Sequence, residues 1–136
     1  MVDNIISIVK NNIIDNKLIN EGQKVVVAVS GGPDSMCLLD VLNKLSNDLK
    51  FSIIVAHVNH GIRKESDDEK IYVESYCTQR NIPFFYLKVN IPMLSKEKKM
   101  SEEACGREVR YEFFEKVRKE QNADLIAVAH NLNDNI

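Results

Sequence analysis

The chain has 136 residues, of which 44% are hydrophobic and 28% are charged, and its formal net charge at pH 7 is −2. This length is that of one domain or part of one, and the composition is typical of a folded globular chain rather than a disordered or fibrous one. The small acidic excess argues against a free-standing nucleic-acid binder, and the lack of both an export signal and an apolar run of roughly 20 residues predicts a cytoplasmic protein with no membrane partner.

The predicted elements alternate between helix and strand. Residues 4–19 carry apolar side chains at spacings of three to five, which predicts an amphipathic opening helix. Residues 25–29 form a continuous apolar run, the pattern of a strand covered on both faces in a parallel sheet. Similar patterns follow in turn, with strands at 53–56, 84–87 and 125–129 and helices at 34–48, 65–81 and 101–121. The predicted fold class is therefore α/β, an open parallel sheet with flanking helices, whose ligands bind beyond the carboxyl ends of the strands.

One connection departs from this alternation. Residues 91–99, between the third strand and the last helix, are basic and are predicted to be irregular. Ser101 follows and can cap the last helix. Glu102 and Glu103 are in its first turn, where negative charges interact favourably with the positive end of the helix dipole. That helix is predicted to direct these side chains into the core: Val109, Tyr111, Phe113, Phe114 and Val117. The chain stops just after the fourth strand, so we expect a truncated α/β domain.

The strongest chemical signal is the motif Ser30-Gly31-Gly32-Pro33-Asp34-Ser35, directly after the first strand and before a helix. Two glycines let the backbone turn tightly, and their amides, the helix N-terminus and the hydroxyls of Ser30 and Ser35 form a cradle for phosphate. The motif lacks the Gly-Lys-[Ser/Thr] ending of a Walker A loop. The alternative is an ordinary tight turn in which Asp34 and Ser35 cap the helix.

This motif resembles the PP-loop of the ATP pyrophosphatase family, whose members cleave ATP between the α- and β-phosphates to adenylate a substrate. Three further stretches resemble the tRNA(Ile)-lysidine synthetases within that family: His57-Val58-Asn59-His60-Gly61-Ile62-Arg63, residues 101–111 (SEEACGREVRY), and Ala129-His130-Asn131-Leu132-Asn133-Asp134. The resemblance implies the PP-loop ATP pyrophosphatase fold. It also implies that residues 1–136 are the N-terminal part of the ATP-binding catalytic domain, with the remainder and the tRNA-binding domains absent.

The implied reaction is ATP-dependent ligation of free L-lysine to the wobble cytidine in the CAU anticodon of tRNA(Ile), through an adenylated intermediate and with AMP and pyrophosphate as products. The resemblance thus implies ATP and Mg²⁺ as cofactors, and tRNA(Ile) and free lysine as partners; it leaves the oligomeric state open. The alternatives are another PP-loop adenylating enzyme, such as an NAD or GMP synthetase or an RNA thiolase, and a non-catalytic ATP-binding module. Thiolases usually carry paired cysteines, whereas Cys37, Cys77 and Cys105 are widely spaced and are predicted to be reduced, buried thiols.

The nucleotide is expected to bind to the motif at residues 30–35 and to the end of the second strand. There, backbone groups of Ala56, His57 and Val58 can bind the adenine edge. His60 and Arg63 follow at the same sheet edge and are expected to bind the RNA substrate. The alternatives are a structural role for either histidine and, for Arg63, a solvated arginine near Glu65.

The last helix contributes two candidate catalytic arginines, Arg107 and Arg110, which are expected to counter charge as it develops in the reaction. Arg107 has Glu103 one turn earlier, so a surface ion pair is its alternative. None of the residues three or four positions from Arg110 is acidic, which favours an anionic ligand. Gly106 costs about 1 kcal/mol relative to alanine inside a helix, which a close approach by backbone or ligand explains.

Two further candidates follow the fourth strand. His130 and Asp134 are expected to project toward the phosphate loop if the strand order follows the family. Asp34 and Asp134 are the expected catalytic acids that bind Mg²⁺, and Asp134 is alternatively the base that takes a proton from the amine of lysine. Many relatives carry two adjacent acids after the final histidine, but here the first of these positions is Asn133. If the first acid coordinates magnesium, that role falls to Asp134 or weakens.

Overall fold

The computed structural model describes residues 19–30, 32–60 and 64–128, which form four strands and four helices. Strands and helices alternate, except that two helices follow each other between the third and fourth strands. The strands are β1 (Lys24–Ala28), β2 (Ser52–Asn59), β3 (Phe84–Lys88) and β4 (Leu125–Val128), and the helices are α1 (Pro33–Leu49), α2 (Lys64–Gln79), α3 (Ile91–Lys98) and α4 (Glu102–Glu120). Residues 4–18, in which the opening helix was predicted, lie outside the described residues.

The strands form one parallel sheet in the order β3-β2-β1-β4. Val26 of β1 pairs with Ile54 of β2 on one side and with Ile126 of β4 on the other. The chain runs outward from β1 to β3 and then returns past β1 to form β4, so the direction of winding reverses between β1 and β4. A reversal of this kind opens a crevice at the carboxyl ends of the strands, where open α/β sheets bind their ligands. The loop after β1 lies at that crevice.

Helices cover both faces of the sheet. Val25, Val27 and Val29 pack into a cluster with α1 and α2, whereas Val26 and Ala28 pack into a second cluster with α3 and α4. Each fully buried valine stabilises the fold by about 1.5–3 kcal/mol. The predicted cover on both faces is confirmed, and it explains why β1 is apolar at consecutive positions rather than at alternate ones. Among the described helices, none combines the length and the apolar character that a membrane crossing requires.

The predicted elements that fall on described residues are confirmed with small shifts in their bounds, and one connection is corrected. Residues 91–99, predicted to be irregular, contain the helix α3. The side chain of Asn90 accepts a hydrogen bond from the Met93 amide at 3.1 Å, and Pro92 occupies the first turn. Both are signals of a helix start that the sequence displays. The predicted cap of the next helix is confirmed, because the Ala104 amide donates to the Ser101 hydroxyl at 3.1 Å.

Two predictions about burial are wrong. Tyr111 was expected in the core but is 48% exposed, because α4 turns Phe114 rather than Tyr111 toward the sheet. Cys37 was expected to be buried but is exposed, since leucines fill the inner face of α1. Cys77 and Cys105 are buried free thiols, as expected.

Candidate functional site

The loop after β1 is held by its two serines. The Ser30 amide donates to Ser35 Oγ at 3.1 Å, and Ser35 Oγ donates to the Gly32 carbonyl at 3.2 Å. The two hydroxyl oxygens are 3.0 Å apart, and the Gly32 amide donates to Ser30 Oγ at 3.3 Å. Ser35 is buried, so its hydroxyl braces the loop from within. The two serine side chains therefore hold the described residues of this loop together.

The start of α1 is open to solvent. Gly32 is its N-cap, with no side-chain hydrogen bond to the first turn, so the alternative in which Asp34 or Ser35 caps the helix is wrong. Pro33 occupies the first turn, and Asp34 is exposed beside it. An uncapped helix start presents backbone amides to an anion. Gly31, the remaining residue of the motif, lies outside the described residues.

The end of β2 extends beyond β1. The β1–β2 register ends at Ala28–Ala56, and the Val29 amide adds a bond to the Ala56 carbonyl at 3.0 Å. From His57 to Asn59 the strand continues beside β3. Alternate residues of a strand direct their backbone groups to the same neighbour, so those of Val58 point to the side where β1 has ended.

The side chains at this strand end are buried. Ala56 and Val58 belong to the cluster under α4, and His57 is 1% exposed on the opposite face. Contact with a ligand at these three positions is therefore restricted to the backbone, which is the contact that the sequence predicts at the adenine edge.

His57 braces the start of the loop. Its Nδ1 donates to the Val29 carbonyl at 2.6 Å, and its ring stacks with Tyr86 at a centroid distance of 6.1 Å. Burial lowers the pKa of His57 below its ordinary value, so the ring is neutral at pH 7. Its Nε2 is buried and has no hydrogen-bond partner among the described residues. The hydrogen bond at Nδ1 gives His57 a structural role, which was the alternative in the sequence analysis. Nε2, by contrast, has no hydrogen bond within the described part of the chain.

Asn59 is a polar residue of the site that the sequence interpretation missed. It is 1% exposed, and its side-chain amide donates to Asp67 Oδ1 at 2.9 Å and to the Tyr86 hydroxyl at 3.1 Å. The hydrogen bond from Asn59 is the main cause that lowers the pKa of Asp67. Asn59 therefore fixes the end of β2 to α2 and β3, and an asparagine at the end of an apolar strand is the signal that points to it.

On the face of the sheet covered by α4, three residues come close together: His60, Gly106 and Arg110. A Cβ atom at Gly106 would lie 3.2 Å from Cε1 of His60 and 3.5 Å from Nη1 of Arg110. The sequence predicted a close approach to Gly106 by backbone or ligand, whereas the groups that approach it are the side chains of His60 and Arg110. Arg110 is half-buried, whereas Arg107 is exposed, and neither forms an ion pair with a described carboxylate. The alternative surface pair of Arg107 with Glu103 is absent from the described residues.

The remaining predicted residues, Arg63, His130 and Asp134, lie outside the described residues. Within the described ranges, no group of three or more His, Cys, Asp or Glu side chains could hold a metal ion. Mg²⁺ is usually held by one or two carboxylates together with substrate phosphates, so the exposed Asp34 beside the loop fits a magnesium–nucleotide complex.

Comparison with known proteins decides the family. A family model described as a PP-loop domain matches residues 3–136. The chain belongs to the PP-loop domain family. Curated relatives of this PP-loop domain include the tRNA(Ile)-lysidine synthases of Clostridium tetani (46% identical over 130 residues, 95% of this chain and 28% of that protein) and Clostridium acetobutylicum (47% over 125 residues, 91% and 27%). That of Petrotoga mobilis is 43% identical over 120 residues, 88% of this chain and 39% of that protein. The PP-loop domain thus spans 27–39% of the length of these relatives.

Solved structures share the fold of this PP-loop domain. The U34-tRNA thiolase NcsA from Methanococcus maripaludis, with its [4Fe-4S] cluster, matches with a TM-score of 0.72 at 23% identity, covering 87% of this chain and 41% of that one. The NH3-dependent NAD synthetase from Campylobacter jejuni matches with a TM-score of 0.55 at 14% identity, covering 93% and 54%. The predicted open parallel sheet of the PP-loop ATP pyrophosphatase fold is therefore confirmed.

Proposed function

We propose that this PP-loop domain is the ATP-binding part of a tRNA(Ile)-lysidine synthase, which ligates free L-lysine to the wobble cytidine of the CAU anticodon of tRNA(Ile). The observation that carries the proposal is 46% identity to a protein of that name over 130 residues. The serine-braced loop at the carboxyl edge of the sheet supports the ATP half of the reaction. The proposed reaction places the protein in the cytoplasm, where tRNA, ATP and free lysine occur together.

ATP is proposed to bind across the crevice at the carboxyl ends of β1 and β2. The phosphates are proposed to lie at residues 30–35, where the open start of α1 faces them. The adenine edge lies against the backbone of Val58, and the buried His57 holds the adjoining end of β1 in place. Asp34, and Asp134 beyond the described residues, are the proposed ligands of Mg²⁺. When bound, Mg²⁺ supplies charge neutralisation at the phosphate oxygens.

The reaction proceeds in two steps. The O2 atom of cytidine attacks the α-phosphorus, and the bond to the β-phosphate oxygen breaks to release pyrophosphate. The neutral ε-amine of lysine then attacks C2, the C2–O2 bond breaks to release AMP, and the amine loses a proton. Adenylation is required because the base oxygen alone is a very poor leaving group.

The chain's own residues serve both steps in this proposal. Arg110, with Arg107, counters the charge that develops on the phosphate. His60 and Arg63 hold the anticodon nucleotide, which must leave its stack to reach the crevice. His130 is proposed to act with these groups, and Asp134 either binds Mg²⁺ or takes the proton from the amine.

The test of this function is lysine incorporation. Full-length protein with ATP is expected to transfer labelled lysine into tRNA(Ile) bearing a CAU anticodon, and not into the same tRNA with a uridine at the wobble position. The 136-residue chain alone is not expected to incorporate lysine at a rate comparable to that of the full-length protein. Equal rates would contradict the proposal that this chain is one part of the catalytic domain. ATP–pyrophosphate exchange without lysine transfer would indicate another PP-loop adenylating enzyme. ATP binding without exchange would indicate a non-catalytic module.

Ser35 tests the phosphate cradle, because its hydroxyl bonds to both ends of the loop. Ser35→Ala is expected to lower ATP affinity about tenfold in a titration of the full-length protein, the equivalent of one or two net hydrogen bonds at about 1 kcal/mol each. Ser46→Ala is the matched control, since Ser46 lies on the same helix and donates to the carbonyl three residues earlier, that of Asn43, at 2.7 Å. It is expected to leave ATP affinity unchanged. Equal affinities for the two variants would contradict the cradle.

A further inference from the structure

The contact between His60 and Gly106 joins two parts of the sheet edge that are far apart in the sequence. His60 directly follows β2, and Gly106 lies in the second turn of α4. A Cβ atom at Gly106 would lie 3.2 Å from Cε1 of His60 and 3.7 Å from Nδ1, and the shorter distance is tighter than nine in ten Cβ contacts in proteins. The imidazole therefore occupies space that any other residue at position 106 would fill.

Arg110 reaches the same point from within α4. Side chains on a helix lean toward its N-terminus and cover the residue four positions earlier. Nη1 of Arg110 accordingly lies 3.5 Å from the Cβ position at Gly106. An imidazole and a guanidinium thus meet over one glycine, at the edge where the strands end.

The helix itself gives no reason for this glycine. Gly106 is buried in the helix interior, and the only described glycine with positive φ is Gly22, so no special backbone conformation requires Gly106. Glycine costs a helix interior about 0.5–1 kcal/mol relative to alanine. The space that Gly106 leaves for the imidazole is the feature that accounts for it.

We propose that Gly106 is a positioning residue of the lysine-transfer reaction, an inference that rests on the function proposed above. Because Gly106 has no side chain, the imidazole of His60 packs on α4 beside the guanidinium of Arg110. This packing fixes both groups where the anticodon nucleotide is expected. A methyl group at position 106 displaces the imidazole by a few tenths of an ångström and so changes its position relative to the guanidinium, whose Nη1 is at an ordinary contact distance.

Gly106→Ala in the full-length protein is expected to separate stability from turnover. The melting temperature stays the same or rises, because alanine favours the helix. The kcat/KM for lysine incorporation falls about 3- to 10-fold, since small misplacements of aligned groups are costly in a reaction that depends on geometry. If Gly106→Ala has the same kcat/KM as a wild-type enzyme that is active in the same experiment, the inference is overturned and the proposed function is unaffected.

The same substitution in a His60→Ala background is the control. With the imidazole removed, the added methyl keeps only an ordinary van der Waals contact with Nη1 of Arg110 at 3.5 Å. It is therefore expected to cause no further loss of residual turnover and to raise the melting temperature more than in the wild type. An equal loss in both backgrounds shows that the effect does not pass through His60 and overturns the inference.

The packing has a readout that needs no turnover. In NMR spectra of ATP-free protein, the ring signals of His60, identified by their loss in His60→Ala, are expected to shift in Gly106→Ala. Unchanged signals overturn the inference. If the wild-type enzyme incorporates no lysine, the proposed function is wrong, and so is the positioning role of Gly106 in lysine transfer. A shift in the His60 signals would still show that His60 packs on Gly106.

Discussion

Asp34→Asn in the full-length protein is expected to lower ATP–pyrophosphate exchange about 100-fold or more, with little change in melting temperature. Asp34 is exposed in the first turn of α1, beside the loop that is proposed to hold the phosphates. Charge stabilisation through a bound cation is worth several kcal/mol in phosphoryl chemistry, and a loss of about 3 kcal/mol is a hundredfold in rate. Asparagine keeps the shape and removes the charge. Exchange should be measured across a Mg²⁺ titration, in which the variant needs more Mg²⁺.

Asp48→Asn is the matched control for Asp34. Asp48 is an exposed acid at the opposite end of the same helix, so the substitution removes the same charge far from the loop. We expect exchange to be unchanged in this variant. If Asp34 only favoured the positive helix end, its loss would cost about 0.3–1 kcal/mol of stability and nothing in exchange. That pattern would contradict the proposed role.

Arg110→Ala is expected to lower lysine transfer by the full-length protein about tenfold or more, again with little change in melting temperature. The loss of one charge-assisted contact, about 1.5–3 kcal/mol, corresponds to a factor of about 10 to 100. Stability should change little because Arg110 pairs with no described carboxylate. The measurement is single-turnover lysine incorporation beside a thermal melt of the same preparation.

Arg118→Ala gives the opposite pattern and is the control on the same helix. Nε of Arg118 donates to Glu115 at 2.9 Å, and its Nη1 donates to the Ala123 carbonyl at 3.3 Å, which ties the end of α4 to the turn before β4. This variant is expected to melt at a lower temperature while retaining turnover. Unfolding of Arg110→Ala, or its full activity, would place Arg110 in the scaffold.

The sequence predicted features that depend on local chemistry. The apolar run of β1 and the cap at Ser101 each carry their reason within a few residues, and the structure confirms both. The helix α3 was equally local, because Asn90 and Pro92 signal its start, but the basic residues after them were given more weight.

Features that depend on partners from distant parts of the chain were not predicted. Gly106 was recognised as costly in its helix, yet nothing near it in the sequence indicated that His60 fills the space. The burial of Asn59 depends on Asp67 and Tyr86, which come from two other elements. The exposure of Tyr111 follows from how α4 is rotated against the sheet, which tertiary packing sets.

The contacts at the end of β2 also limit which insertions and deletions this strand can accept. Asn59 bonds on one face, to Asp67 and Tyr86, and its neighbour His60 packs on the other, against Gly106. Successive residues of a strand point to opposite faces, so deletion or insertion of one codon within β2 exchanges the two. The asparagine then meets α4, the imidazole meets α2, and both contacts are lost at once. A change in the length of this strand therefore removes both contacts in one step, whereas a substitution at Asn59 or at His60 removes only one of them.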